Sequence, residues 1–226
     1  MPRAARIVVP GASHHITQRG NNRQAVFFST RDCLAYLDFL KEYSSRFNFR
    51  VEGYCLMPNH VHVVGVPESE DSLAAAIGRT HLQYSRNLNR TRGRSGHIWQ
   101  SRFYSCAMDE GHAINAMCYV ELNPVRAGFA ANPWDFKWSS AAAHCGLETK
   151  DSWLDLSAWR TNTVGPYWRE TLTEVARNKG LLDAVRRSTR SGRPLGNDDF
   201  LRQIGRWGQP PIIRPGPQDT IEFGGE

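Results

Sequence analysis

The sequence has no long apolar run: no stretch approaches the roughly 18 apolar residues that a membrane-spanning helix needs. Its first ten residues include arginines but no apolar segment of the kind that signal peptides contain. The five cysteines are scattered, and none forms the C-x-x-C pair that binds zinc or carries out thiol redox chemistry. We therefore expect a cytoplasmic protein that does not contact a membrane and whose cysteines stay reduced.

Acidic residues are in the minority: 22 Asp and Glu stand against 28 Lys and Arg, a formal net charge of +6. A mildly basic surface favours polyanionic partners, although charge alone does not establish nucleic-acid binding. With 226 residues the chain can bury one good core and carry an extension, but hardly two large cores. We predict a catalytic domain over residues 1–145 and, over residues 146–226, a helical extension with a basic, partly flexible DNA-binding arm.

Hydrophobic periodicity indicates strands that alternate with helices up to about residue 145. In chain order we predict strand His14–Gln18, a turn over Arg19–Arg23, a helix over 30–47, strands Phe49–Cys55 and His60–Val66, helix Ser72–Asn89, strand Trp99–Met108 and helix Asp109–Leu122. This order favours an α+β fold, with a ferredoxin-like antiparallel sheet and its helices on one face. Short helices near 167–177 and 181–188 follow, and from Thr189 onward an extended basic arm is predicted.

The segment Pro58-Asn59-His60-Val61-His62 gives the clearest chemical signal. Side chains alternate along a strand, so His60 and His62 point to the same side and can present two imidazoles to one metal ion. Val61 then faces the opposite layer. On spacing alone, H-x-H also fits two ordinary histidines at the edge of a strand.

Tyr119 and Asn123 offer further functional groups. They are four residues apart on a predicted helix and so share a face. The Asn123 amide oxygen is a hard ligand for a divalent cation, and the Tyr119 phenol oxygen could attack phosphorus. Without further context, the simpler interpretations are favoured: a half-buried aromatic side chain for Tyr119 and a helix C-cap before Pro124 for Asn123.

Four segments occur in order between about Arg6 and Ser140: HHITQRGNNR, YCLMPNHVHVVGVP, WQSRFYS and YVELNPVRAG. Together they resemble the REP-associated tyrosine transposases, an IS200-like group of the single-tyrosine HUH transposases. The resemblance implies that His60 and His62 are the HUH metal ligands, Tyr119 is the nucleophile and Asn123 is the third ligand. It also implies a ferredoxin-like domain that binds hairpins of palindromic repeats and cuts single-stranded DNA through a 5′-phosphotyrosine.

The resemblance implies Mg²⁺ or Mn²⁺ as cofactor, of which Mn²⁺ suits imidazole ligands better. It also indicates a monomer more than a dimer. We predict further DNA contacts from basic, amide and aromatic side chains in the turn, in the fourth strand, beyond Pro124 and in the arm. These residues are Arg19, Asn21, Asn22, Arg23, Trp99, Arg102, Tyr104, Arg126, Arg190 and Arg193, and the arm continues to Arg214.

Two other functions remain open at this point. A histidine-triad nucleotidyl hydrolase also uses H-x-H on a strand, but Val64 stands where its third alternating histidine would be. A DNA-binding regulator with the same fold and no catalytic activity is the second alternative. The presence of Tyr119, His60, His62 and Asn123 disfavours it without excluding it.

Overall fold

The computed structural model of the chain describes residues 6–147, 151–157, 159, 167–176 and 179–206. Within these residues the strands are β1 (Ser13–Arg19), β2 (Phe49–Met57), β3 (His60–Pro67) and β4 (Tyr104–Met108). They form one sheet in the spatial order β2-β3-β1-β4, and all three neighbouring pairs are antiparallel. The predicted α+β fold with an antiparallel sheet is confirmed.

The helices of the described part begin and end close to the predicted bounds in the first half of the chain. They are α1 (Thr30–Arg46), α2 (Ser72–Thr91), α3 (Glu110–Glu121), α4 (Asn123–Arg126), α5 (Ala141–His144), α6 (Trp168–Val175), α7 (Lys179–Ser191) and α8 (Asp198–Arg206). The Asp109 side chain caps α3 by accepting from the backbone N–H of His112 at 2.9 Å. Pro124 lies in the first turn of α4, where its missing N–H costs nothing.

Helices α1 and α2 cover one face of the sheet. Ile16, Val61 and Val63 of the strands lie there in one core with Tyr36 of α1 and Ile77 of α2, all five fully buried. The prediction that Val61, between the two histidines of β3, faces the opposite layer is confirmed. The two helices form the layer that buries the Val61 and Val63 side of β3.

Helix α3 packs on the opposite face, so the expectation of helices on one face only is wrong. Ala116, Met117 and Val120 share a core there with Val64 of β3 and Cys106 of β4. Room for α3 comes partly from Gly53 of β2: a Cβ atom at that position would lie 2.5 Å from Met117 Sδ. The physical reason is that the strands carry apolar side chains on this face too, and Cys55, Val64 and Cys106 need a covering layer.

The fourth strand is shorter than predicted, because β4 begins at Tyr104 and not at Trp99. Trp99 makes a single bridge with Gly20, and its indole packs against the imidazole of His81 with ring centroids 4.8 Å apart. The indole N–H donates to the His81 carbonyl oxygen at 3.3 Å. Burial of the large apolar ring against α2 outweighs continuation of the strand.

The C-terminal part contains more helix than predicted. Helix α7 extends through Ser191, and α8 follows at Asp198–Arg206, so the extended arm expected from Thr189 onward is wrong over these residues. Helix α7 packs on α3 and β4. Arg214 lies outside the described residues, and the division of the chain after residue 145 stays a prediction. In the described residues no helix is long and apolar enough to cross a membrane.

Several buried histidines make the stability depend on pH, and two of them lie on the α1–α2 side. Burial lowers the pKa of His14 to about 4 and that of His81 to about 3, and the charge of Arg6 lowers the latter further. The unfolded chain takes up protons below the ordinary pKa of 6.5, whereas the folded chain does not. Stability that is present above pH 6.5 is therefore lost as the pH falls towards these lowered values.

We expect the free energy of unfolding to fall between pH 6.5 and pH 4, by about 1.4 kcal/mol per pH unit for each such histidine. Urea unfolding at a series of pH values measures this slope. His81→Gln, which cannot titrate, should make the slope shallower by about that amount. An unchanged slope in this variant would contradict the assignment.

Candidate active site

Strand β3 presents His60 and His62 on the α3 face of the sheet. Alternation along the strand points them away from Val61 and Val63, which lie in the α1–α2 core. In the sheet, His62 lies opposite Thr17 of β1. The two imidazole rings are 5.0 Å apart between centroids and nearly perpendicular. The two histidines can therefore act on one bound group.

The partners of His60 determine which of its ring nitrogens carries the proton. Nδ1 lies 2.7 Å from Asn59 Oδ1, and the Asn59 amide nitrogen donates to the Arg23 carbonyl oxygen at 3.1 Å. Because Asn59 Oδ1 can only accept, Nδ1 is protonated and Nε2 keeps its lone pair. That lone pair faces the Asn123 amide nitrogen at 3.2 Å. A half-turn of this amide would bring its oxygen, a hard ligand, beside His60 Nε2.

Burial keeps the histidines of the site neutral. It is the largest cause that lowers the pKa of His60 to about 4, and Arg19 and Arg126 lower it further. It also lowers the pKa of His62, with contributions from His60 and His15, and the pKa of His15 itself to about 3. Near neutral pH each ring is therefore neutral, with a proton on one nitrogen and a lone pair on the other, and a metal ligand needs such a lone pair.

Helix α3 brings Tyr119 to these histidines. Its ring lies 5.5 Å from that of His62 and 5.7 Å from that of His15, edge-on to both. The Arg126 guanidinium lies over the Tyr119 ring at 4.2 Å and donates to the Tyr119 carbonyl oxygen at 3.2 Å. A cation over the ring face stabilises the ring in this orientation. The structure thus brings the predicted nucleophile and the predicted ligands together.

A buried carboxyl group fixes the end of α3. Glu121 is fully buried, and its Oε1 accepts from Ser140 Oγ at 2.7 Å and from His144 Nδ1 at 2.5 Å. Its Oε2 accepts from Trp168 Nε1 at 2.7 Å. These donors belong to the region of α5 and to α6, so later parts of the chain hold α3 against the sheet. Glu121 lies between Tyr119 and Asn123 in sequence, so this network anchors the stretch of backbone that carries both side chains.

Tyr119 and His62 line a cleft of about 330 Å³. The other residues of its wall are His15, Thr17, Arg19, Gln100, Tyr104, Arg186, Thr189 and Arg190. None of these wall residues is acidic, and three are arginines. Burial lowers the pKa of Arg19, and the nearby charges of Arg190 and Arg23 lower it further. A wall that contains three arginines and no acidic residue attracts an anion such as a phosphodiester.

The predicted DNA contacts fall into three groups. Arg19, Tyr104 and Arg190 line the cleft, where Arg126 covers the Tyr119 ring. A second groove, of about 670 Å³, lies beside α2 and is lined by Asn21, Trp99 and Arg102. Gln100 lines both the groove and the cleft. Asn22, Arg23 and Arg193 are exposed on the surface. The groove and the cleft therefore meet at Gln100.

The sequence of residues 8–123 matches the family model described as IS200-like transposase. This match spans more than half of the chain and includes the whole sheet, Tyr119 and Asn123. The chain belongs to the IS200-like transposase family. No curated protein matches it significantly in sequence.

Two solved structures are similar to this transposase. One is a REP-associated tyrosine transposase bound to a REP hairpin, with 19% identity and a TM-score of 0.54 over 66% of this chain and 89% of that chain. The other is a candidate transposase from Deinococcus radiodurans R1, with 16% identity and a TM-score of 0.38 over 53% of this chain and 96% of that one. The first likeness shows the shared fold of this transposase.

Among the described residues, no group of three or more His, Cys, Asp or Glu side chains is placed to hold a metal ion. The predicted set has only two such members, because its third is the amide of Asn123. Free Nε2 nitrogens on neutral imidazoles, together with an amide oxygen, fit a divalent cation with mixed nitrogen and oxygen preference. The residues present therefore suit the predicted ion.

His15 and Thr189 are among the residues of the site that had no predicted role. His15 lies beside His62 with stacked rings 5.1 Å apart, and Thr189 of α7 reaches the same cleft. The alternation that pairs His60 with His62 also places His15 on the same face of β1 as Thr17, so His15 could have been found. No local pattern marks Thr189, because its contact with β1 depends on the packing of α7.

Proposed function

We propose that this transposase is an endonuclease and strand transferase for single-stranded DNA, with Tyr119 as its nucleophile. The main support is one arrangement: the Tyr119 phenol and the neutral His62 imidazole line a cleft walled by arginines, and the His60 imidazole lies beside His62. Phosphodiester transfer needs a nucleophile, charge stabilisation and positioning of the anion. Tyr119 is suited to be the nucleophile. A cation bound by His60, His62 and Asn123 would stabilise charge, and the arginines of the cleft are suited to position the anion.

The reaction balances without an external energy source. The Tyr119 phenol oxygen attacks the phosphorus as its proton leaves to solvent, and the bond from phosphorus to the 3′ oxygen breaks. The 3′ oxygen takes up a proton and leaves as a hydroxyl, while the 5′ end stays joined to Tyr119. A 3′ hydroxyl from another strand can then attack the phosphotyrosine, restore the phenol and rejoin DNA.

Three residues would hold the proposed Mg²⁺ or Mn²⁺: His60 and His62 through Nε2, and Asn123 through its amide oxygen. When bound, the cation would polarise the scissile phosphate and stabilise charge on the departing oxygen. The protein prepares the ligands itself, since Asn59 holds the proton of His60 on Nδ1. Arg126 holds the Tyr119 ring beside His62.

We also propose that the DNA is a hairpin whose stem lies in the second groove and whose single strand enters the cleft. The groove combines the cationic side chains Arg86 and Arg102 with the amide of Asn21, and it joins the cleft at Gln100. Such side chains suit phosphates and unpaired bases. The structurally similar REP-associated transposase is bound to a REP hairpin. We expect a monomer, because Tyr119 and both histidines meet within one chain.

A hairpin oligonucleotide with a single-stranded flank tests the chemistry. We expect a covalent protein–DNA band on a denaturing gel in the presence of Mn²⁺ or Mg²⁺, and none with EDTA. The label must follow the 5′ phosphate: 3′-labelled DNA should stay with the protein, and 5′-labelled DNA should be released with a free 3′ hydroxyl. Retention of the 5′ label would contradict the proposed polarity.

The same assay separates the two other functions. A regulator without catalytic activity would shift the hairpin in a native gel and form no covalent band with either ion. A histidine-triad hydrolase would act on free nucleotides through a histidine. The structure disfavours it, since Val64 is buried in the α3 core and offers no third imidazole.

The arginines of the cleft should contribute to the salt dependence of binding. For single strands, each phosphate contact adds about 0.7 to the slope of log affinity against log salt concentration. We expect Arg19→Gln and Arg190→Gln each to reduce the slope by about that amount. The matched control is Arg31→Gln, which removes an exposed charge from α1 on the other side of the sheet. Equal slopes in the three variants would exclude phosphate contacts in the cleft.

A further inference from the structure

Thr189 of α7 and His15 of β1 form a chain of hydrogen bonds that ends at His62. The Thr189 hydroxyl donates to the Val185 carbonyl oxygen at 2.8 Å within α7, which uses its only proton. The contact of 2.7 Å between Thr189 Oγ1 and His15 Nδ1 must therefore be one in which the imidazole donates. His15 consequently carries its proton on Nδ1.

The same reasoning extends to the next ring. His15 Nε2 lies 2.8 Å from His62 Nδ1 and has only a lone pair to offer. His62 must therefore donate from Nδ1, which leaves its own Nε2 free. Thr189, His15 and His62 are 1%, 1% and 4% exposed, so water has little access to replace any of these partners.

We propose that Thr189 is a positioning residue that, through His15, fixes His62 in the tautomer able to bind a divalent cation. This inference rests on the proposed function, in which His62 Nε2 is a metal ligand. Partners that hold the second nitrogen of a metal-binding histidine commonly set its tautomer and orientation. Here that partner is the imidazole of His15. The residue that orients His15 is Thr189 of α7, 174 positions further along the chain.

The reverse arrangement shows what Thr189 prevents. If the hydroxyl donated to His15 Nδ1, the His15 proton would move to Nε2, and His15 would donate to His62 Nδ1. The His62 proton would then occupy Nε2 and block the metal. Donation to Val185 within the helix commits the Thr189 proton elsewhere, so this reversal costs a buried hydrogen bond.

Nitrogen-15 NMR of histidine-labelled, metal-free protein reads the tautomers directly. We expect His15 and His62 to show Nδ1–H tautomers in the wild type, with signals assigned from His15→Gln and His62→Gln. Thr189→Val keeps the shape of the side chain and removes its oxygen, so both rings should move to the Nε2–H form or to a mixture. Thr189→Ser keeps the hydroxyl and should restore the wild-type pattern.

Binding of Mn²⁺, followed by the electron paramagnetic resonance of the free ion, gives the functional readout. We use the Tyr119→Phe background and no DNA, so that chemistry plays no part. Thr189→Val should weaken Mn²⁺ binding by about 10-fold or more, and Thr189→Ser should bind nearly as the wild type does. The matched control is Thr173→Val, because Thr173 is exposed and its hydroxyl makes the same bond four residues back, to the Arg169 carbonyl oxygen at 2.8 Å.

Unchanged tautomers and unchanged Mn²⁺ affinity in folded Thr189→Val would overturn the inference, as would equal losses in Thr173→Val. The outcome is separate from that of the proposed function. If Thr189→Val shifts the tautomers and weakens Mn²⁺ binding while the wild type forms no DNA adduct, the positioning role of Thr189 stands and the nuclease proposal fails. If the wild type forms the adduct and Thr189→Val changes neither the tautomers nor the Mn²⁺ affinity, only the positioning role of Thr189 fails.

Discussion

Tyr119→Phe should abolish the covalent protein–DNA band, with a loss on the order of 10³-fold or more, because it removes the proposed nucleophile. The substitution deletes only the phenol oxygen. The ring that contacts His62 and the Arg126 guanidinium stays in place. We therefore expect hairpin affinity in a native gel to remain within about twofold of the wild type, because the arginines that attract the phosphates are unchanged.

The cleft supplies a matched control for this prediction. Tyr104 of β4 also lines the cleft, so a phenol near the histidines is not unique to Tyr119. Tyr104→Phe should still form the adduct with the same label polarity. An adduct that survives Tyr119→Phe and disappears in Tyr104→Phe would transfer the role of nucleophile to Tyr104.

Glu121→Ala should lower the free energy of unfolding by about 3 to 5 kcal/mol, the range for removing one partner of a buried charged or strongly polar pair. The substitution leaves Ser140, His144 and Trp168 with buried polar groups that have lost their common acceptor. It also opens a cavity beneath the end of α3. Urea unfolding followed by tryptophan fluorescence measures the loss.

Glu110→Ala is the control for this variant, because Glu110 is an exposed residue in the first turn of the same helix. It should change stability by no more than about 0.5 kcal/mol. Glu121→Gln keeps the size of the side chain but turns one acceptor into a donor, so an intermediate loss is expected. If Glu121→Ala were as stable as Glu110→Ala, the buried network would not hold α3 in place.

The sequence predicted the main elements of the candidate site, because local spacing determines them. Alternation along β3 places His60 and His62 on one side, and a spacing of four places Tyr119 and Asn123 on one helix face. The structure brings all four residues together. The roles of these residues stay predictions until the adduct and metal-binding experiments are made.

The layer arrangement was harder to predict, because it depends on which side of the sheet α3 crosses. The run of residues from 99 to 108 has strand periodicity throughout, yet Trp99 leaves the strand to pack on His81. Aromatic burial of this kind is set by a helix that is distant in sequence. The same holds for Thr189: a composition rich in arginine and glycine favours an arm, whereas the α7 surface that packs on α3 and β4 favours a helix.

The position of α7 late in the sequence has a consequence for the protein during its synthesis. A ribosome releases the chain from the N-terminus, so β3 and α3 emerge well before Arg186, Thr189 and Arg190 complete the wall of the cleft. A nascent chain that ends before α7 has the phenol and the imidazoles but lacks Arg186, Thr189 and Arg190, the residues proposed to bind DNA and to orient His62. On the proposed function, we therefore expect DNA cleavage only after α7 has been translated and has packed on α3 and β4.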